Sequence, residues 1–128
     1  MIGYTLVGTN DPDRARGFYD ALFGTIGAGR VLEIGEMCAW GSSLAQPAFG
    51  VTRPYDGQAA SVGNGTMIAI VMDTRDKVDA FHAKAMALGG KDEGAPGVRG
   101  EEGDQAFYAG YFRDLDGNKL CAFRVGPA

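Results

Sequence analysis

One short pattern occurs twice in this chain, and that repeat constrains the fold more than any other feature. A strand-like stretch followed by a capped, amphipathic helix is found around Phe18 and again around Phe81, 63 residues later. The same spacing aligns Tyr4 with Met67. One copy of so small a unit does not bury its apolar face alone. The sequence therefore predicts two modules in one chain, with the working cleft between them.

Each module is predicted to run strand, helix, strand, strand, strand. This βαβββ order gives an α+β fold of two curved mixed sheets, each with its helix on the convex face, enclosing a cleft. Alternating or helical apolar spacing and turn residues at the borders support the assignment. We expect a single domain over residues 1–128, with module one at 1–53, a connecting loop at 54–65 and module two at 66–128. The predicted elements are a strand at 2–9, a helix capped by Asn10 or Asp11, strands at 30–34, 37–41 and 48–52, a strand at 66–72, a helix capped by Asp73 or Thr74, a mobile Gly-rich stretch at 94–104, and a hairpin of 106–113 with 118–125.

Charge and composition exclude several classes of partner. The net charge is −4 and Lys and Arg do not cluster, which argues against nucleic acid. No apolar run approaches the roughly 20 residues that cross a bilayer, so we do not expect the protein to associate with a membrane. The N-terminus lacks the order of a signal peptide. Two cysteines, Cys38 and Cys121, without a CxxC pair are typical of reduced thiols in a cytoplasmic protein.

Two motifs identify a family. Residues 11–20 read Asp-Pro-Asp-Arg-Ala-Arg-Gly-Phe-Tyr-Asp after the first strand, and residues 112–120 read Phe-Arg-Asp-Leu-Asp-Gly-Asn-Lys-Leu near the C-terminus. Together with the repeat, they resemble the glyoxalase / bleomycin resistance / extradiol dioxygenase superfamily, also called vicinal oxygen chelate. The resemblance implies the paired βαβββ fold and a homodimer. It leaves the activity open, because this scaffold carries lyases, dioxygenases, epimerases and antibiotic-binding proteins.

The resemblance also implies where a divalent metal would be held. Its His and Glu ligands would fall on Tyr4, Met67 and Cys121, and no Asp, Glu or His lies between Met37 and Tyr55 to supply another. Hard divalent cations prefer imidazole nitrogen and carboxylate oxygen, so phenol, thioether and thiol form a poor set. We therefore expect no metal site and no cofactor, and the catalytic residues stay unknown.

The residues predicted to line a ligand-binding cleft are Tyr4, Met67, Cys121, Trp40, Tyr108 and Arg53. For the first three, plain core filling is an equal alternative, and Trp40 is more simply a core aromatic. Tyr108 and Tyr111 have opposite strand parity, so at most one of them faces the cleft. The single histidine, His82, lies on the second helix beside the core, and this position argues against a catalytic role.

Three functions follow from these residues. The first is a metal-free protein of this superfamily that binds a small molecule, partly aromatic or apolar, for sequestration or sensing. The second is a metal-dependent glyoxalase-type lyase or dioxygenase whose ligands are displaced to Glu33, Glu36, Glu101, Glu102 or His82. The third is a structural or interaction protein whose cleft has filled in.

Overall fold

The computed structural model describes all 128 residues, which form two compact units, Met1–Gly63 and Asn64–Ala128. Each unit contains one helix and one four-stranded sheet. The first unit consists of β1 (Tyr4–Gly8), α1 (Pro12–Gly24), β2 (Gly29–Ile34), β3 (Met37–Gly41) and β4 (Ala48–Thr52). The second consists of β5 (Ile68–Val71), α2 (Arg75–Ala87), β6 (Lys91–Arg99), β7 (Phe107–Arg113) and β8 (Lys119–Val125). The predicted α+β fold with βαβββ order in both modules is confirmed.

The two sheets have the same strand order. In the first it is β1-β4-β3-β2, and in the second it is β5-β8-β7-β6. The first strand of each unit pairs in parallel with the last strand, and the other neighbours are antiparallel. Two parallel strands must be joined by a crossover connection, and α1 after β1 and α2 after β5 form the first part of it. Both sheets are therefore mixed, as predicted.

Side-chain caps fix the start of both helices. The carboxylate of Asp11 accepts the backbone N–H of Arg14, and Pro12 occupies the first turn, where its missing N–H costs nothing. In the second unit the hydroxyl of Thr74, and not Asp73, caps the helix by accepting the N–H of Lys77. Each helix has 13 residues. The helices begin 63 residues apart, at the spacing of the sequence repeat.

Each helix packs its apolar stripe on one side of its own sheet. In the first unit the ring centroid of Tyr19 lies 5.5 Å from that of Trp40 and 4.8 Å from that of Phe49. In the second unit Phe81 lies 6.0 Å from Phe112. The buried residues of α1 recur at helical spacing: Ala15, Phe18, Tyr19, Leu22 and Phe23. Each unit therefore has its own core, on the side of the sheet that we call the helix face. We call the opposite side the far face.

The stretch predicted to be a mobile loop at 94–104 is largely a strand. Strand β6 continues to Arg99 and pairs with β7, with irregular register around Gly94 and Gly97. Gly94 has a φ of +152°, a conformation that other residues rarely adopt. Glycines that indicate a loop in isolation here allow bulges in a paired strand, so this prediction was wrong for residues up to 99.

Neither helix of the structure is long and apolar enough to cross a membrane. Both cysteines, Cys38 and Cys121, are free and buried. The cytoplasmic location stays a prediction.

Candidate functional site

The far face of the first sheet carries two exposed apolar residues of β1. Phe49 packs on α1, so its neighbour Gly50 lies on the opposite side of the sheet. A Cβ atom at Gly50 would lie 2.8 Å from Cδ2 of Leu6, which places Leu6 on the far face. Tyr4 has the same parity on β1. The side chains of Tyr4 and Leu6 are 55% and 41% exposed, so this face offers an apolar surface with one phenol.

On the far face of the second sheet, Tyr111 and Cys121 are direct cross-strand partners. Their neighbours Phe112 and Leu120 form the other register pair and are buried on the helix side. Ala69 of β5 pairs with Cys121, and Met67, two residues earlier, continues the same alternation. Two of the predicted site residues, Met67 and Cys121, therefore lie on one face, and the structure adds Tyr111 to them.

Both polar groups at this position are neutral at pH 7. Burial is the main cause that raises the pKa of the Cys121 thiol, and it also raises the pKa of the Tyr111 phenol. A buried, protonated thiol is a poor nucleophile, so the pair provides hydrogen-bonding and apolar contact and no attacking group.

Two cations lie beside this pair. The guanidinium carbon of Arg99 is 5.4 Å from the centroid of the Tyr111 ring, and Nζ of Lys119 is 5.5 Å from it. Both distances fit cation–π contacts. Sequence reasoning missed Arg99 because it lies in the stretch interpreted as a loop. Lys119 could have been found, because it is two residues from Cys121 on the same strand.

Three other predicted site residues lie elsewhere. Trp40 is buried on the helix face and donates its Nε1–H to Asp20 at 2.8 Å. Tyr108 is also on the helix face, where its hydroxyl donates to Asp79 of α2 at 2.6 Å. The guanidinium of Arg53 donates to Glu36 at 3.0 Å. Of the two tyrosines with opposite parity, Tyr111 is the one beside Cys121, so it replaces Tyr108 in the candidate site.

His82 is occupied on the helix side of the second sheet. Its Nε2 lies 3.1 Å from Oδ1 of Asp92 and 3.1 Å from the carbonyl oxygen of Tyr111. The residue is 7% exposed. These contacts tie α2 to β6 and β7, and they leave His82 away from the far face.

The donor chemistry does not fit the metal that the fold family implies. The three positions hold a phenol, a thioether and a buried protonated thiol, at Tyr4, Met67 and Cys121. No group of three or more His, Cys, Asp or Glu side chains could hold a metal ion in this structure. We therefore derive no chemical step through a metal.

A pocket of about 240 Å³ lies at the start of α2, apart from the predicted site residues. Its side chains include Arg75, which already pairs with Glu102 and donates to the carbonyl of Gly126. The other lining residues are Thr74, Asp76, Arg124, Pro127 and Ala128. The arginine serves to fix the loop after β6 and the end of the chain, so we do not assign a ligand here.

Comparison with known proteins gives one family. A family model described as Glyoxalase/Bleomycin resistance protein/Dioxygenase superfamily matches residues 1–122. A solved glyoxalase/bleomycin resistance protein from Albidiferax ferrireducens T118 is 38% identical, with a TM-score of 0.86 over 97% of this chain and 98% of that one. No curated protein matches the chain.

Two more distant structures share the fold. A glyoxalase/bleomycin resistance protein/dioxygenase family enzyme from Burkholderia phytofirmans PsJN is 17% identical, with a TM-score of 0.71 over 96% of this chain and 97% of that one. A lactoylglutathione lyase from Agrobacterium tumefaciens is 19% identical, with a TM-score of 0.67 over 97% of this chain and 92% of that one. At these identities the likeness extends to the fold alone.

Proposed function

Because the chain belongs to the Glyoxalase/Bleomycin resistance protein/Dioxygenase superfamily, we propose that it binds a small organic molecule on the far face of its second sheet, without a metal ion. Met67 and Tyr111 contact this molecule, and the fully buried Cys121 lies beside Tyr111. Binding, for sequestration or sensing, is the activity, and no bond is broken. The name of the Albidiferax protein, which includes bleomycin resistance, supports a binding role of this kind.

The observation that carries the proposal is the chemistry at the second-unit positions where the family resemblance implies metal ligands. Met67 and Cys121 supply a thioether and a buried thiol there. Such residues suit contact with an apolar or aromatic molecule, since small-molecule sites are lined mainly by apolar side chains with few polar groups. Methionine adapts its shape to irregular ligands.

The alternative, a lyase or dioxygenase with displaced metal ligands, has less support. Three of its candidate carboxylates already pair with arginine: Glu33 with Arg30, Glu36 with Arg53, and Glu102 with Arg75. Its one imidazole, His82, is bound to Asp92 on the helix side. Recruiting these groups to a metal would require breaking each of these contacts.

Binding is tested by thermal shift with a library of small aryl and alkyl compounds, followed by NMR mapping on ¹⁵N-labelled protein. Compounds that bind the native state raise its melting temperature, and their amide shifts are expected on β5, β7 and β8. The blocking variant is Ala69→Trp, which adds bulk at an exposed far-face position. Its matched control is Ala83→Trp on the exposed surface of α2.

We expect binding to be lost in A69W and kept in A83W. Absence of stabilisation by every compound would favour the filled-in, structural alternative. Elemental analysis of protein purified without chelators checks the metal-free part of the proposal. One equivalent of zinc, nickel, iron or manganese per chain, or turnover of methylglyoxal with a thiol after nickel or zinc is added, would contradict that part.

A further inference from the structure

We propose that the ligand of the second sheet is an organic anion, a small carboxylate attached to an apolar body. This inference rests on the binding function proposed above and narrows it to one class of compound. It is based on the two cations that lie over the Tyr111 ring, Arg99 at 5.4 Å and Lys119 at 5.5 Å.

The position of Arg99 is built into strand β6. Its Nη1 donates to the carbonyl of Gly97 at 3.1 Å, and its Nη2 donates to the carbonyl of Ala95 at 2.7 Å. A Cβ atom at Gly94 or Gly97 would lie 3.2 Å from a guanidinium nitrogen, so the absence of side chains at both positions leaves room for it. Neutral carbonyls orient the group, but they leave its full positive charge available to a ligand.

Neither cation forms an ion pair with a carboxylate, since no ion pair includes Arg99 or Lys119. The acidic neighbour, Glu93, is bound to Arg113 at 2.8 Å. The hydrogen bond from Arg113 is the main cause of its lowered pKa, and the charges of Lys91 and Lys119 add to it.

Positive charge is therefore in excess on this face, although the chain as a whole carries −4. This positive charge also acts on the Cys121 thiol. Burial raises the pKa of Cys121, and the charges of Arg99 and Lys119 both lower it. Two cations that contact one half-buried aromatic ring, and that form no ion pair, are favourable partners for a carboxylate, since charge-assisted hydrogen bonds are the stronger ones.

An apolar surface lies next to the cations on the same face. Phe107 is the cross-strand partner of Arg99, and its ring stacks on Phe123 with centroids 5.4 Å apart. Val125, the partner of Phe107 on β8, is 47% exposed, and Val71, the partner of Phe123 on β5, is 69% exposed. A carboxylate at Arg99 would therefore have apolar contacts available for the rest of the molecule.

The test is an NMR titration of labelled protein with two carboxylates, benzoate and hexanoate, and with the neutral amides of the same shape, benzamide and hexanamide. We expect the carboxylates to shift amides of β6, β7 and β8 and to bind about tenfold more tightly than the amides. Added salt should weaken only the carboxylates.

The variants are Arg99→Met and Lys119→Met, which remove the charge and keep an unbranched side chain. Each should reduce the preference for carboxylate over amide several-fold without weakening the amide. Lys119→Met keeps the test decisive if loss of the Arg99 hydrogen bonds disturbs β6. The matched control is Arg124→Met. Arg124 lies on β8, as Lys119 does, but its side chain is on the helix face.

Two outcomes would overturn the inference while leaving the proposed function standing. One is that the amides, or other neutral compounds of the library, bind this face as tightly as the carboxylates. The other is that R124M lowers the carboxylate preference as much as R99M and K119M do. If no compound of any charge shifts this face, the binding function itself fails, and this inference fails with it.

Discussion

Asp20 connects Trp40 and Arg30, and removing its carboxylate tests whether Trp40 belongs to the core. The carboxylate accepts the indole N–H of Trp40 at 2.8 Å and two guanidinium hydrogen bonds from Arg30 at 2.9 and 2.8 Å. Trp40 is 1% exposed. In Asp20→Ala the indole N–H is left buried without its acceptor, a loss of roughly 1–3 kcal/mol. The half-exposed ion pair adds roughly 0.2–1 kcal/mol. We expect D20A to lower the free energy of unfolding by about 2 kcal/mol.

Urea unfolding followed by fluorescence measures this difference, because Trp40 is the single tryptophan of the chain. The control is Arg30→Met, which removes the ion pairs of Arg30 with Asp20 and with Glu33 and leaves the indole N–H paired with Asp20. We expect R30M to cost less than 1 kcal/mol, in line with a surface pair. Equal losses in D20A and R30M would refute the reasoning, because they would mean that water satisfies the indole N–H once the carboxylate is gone.

Three further predictions concern pH, the site and assembly. Hydrogen bonds from Arg30 are the main cause that lowers the pKa of Asp20 below its usual value of about 3.8, so its stabilising effect is present above that pH and is lost as the pH falls through the lower folded-state value. The urea concentration at the unfolding midpoint should therefore decrease when the pH is lowered below about 4, and it should decrease less in Asp20→Asn. An equal decrease in D20N and in the unsubstituted protein contradicts this. Gly97→Ala should displace the Arg99 guanidinium, 3.2 Å from the added methyl carbon, and weaken benzoate binding about fivefold with little change in unfolding free energy; unchanged benzoate affinity would count against the assigned position. We also propose a homodimer, which would cover the exposed Tyr4 and Leu6, and a sedimentation mass equal to the 13.4 kDa chain at micromolar concentration would rule it out.

The elements were largely predictable because their signals are local. The helix caps and the amphipathic helices around Phe18 and Phe81 depend on residues close together in sequence, and the structure contains both. The 63-residue repeat predicted the second unit from the first. Strand β6 was missed, because its glycines indicate a loop unless the pairing with β7 is known.

The site was less predictable, because it depends on which side of a sheet a residue occupies. Alternation within β7 separates Tyr108 from Tyr111, but only the packing of α2 determines which of them contacts the helix. The same holds for Trp40, whose place under α1 follows from its contacts with Tyr19 and Asp20. Arg99 was missed with the strand that carries it.

The two faces of each sheet differ in what they contribute to folding, and this difference determines which substitutions the sheet tolerates. Folding depends on the aromatic and aliphatic residues gathered under each helix, such as Tyr19, Trp40, Phe81 and Phe112. Exposed positions on the other side, such as Tyr4, Met67 and Ala69, contribute little to that core. Replacements there can change what is recognised without endangering the fold. The chemistry of the exposed side of such a sheet can therefore change through a handful of substitutions while the core under the helix is kept.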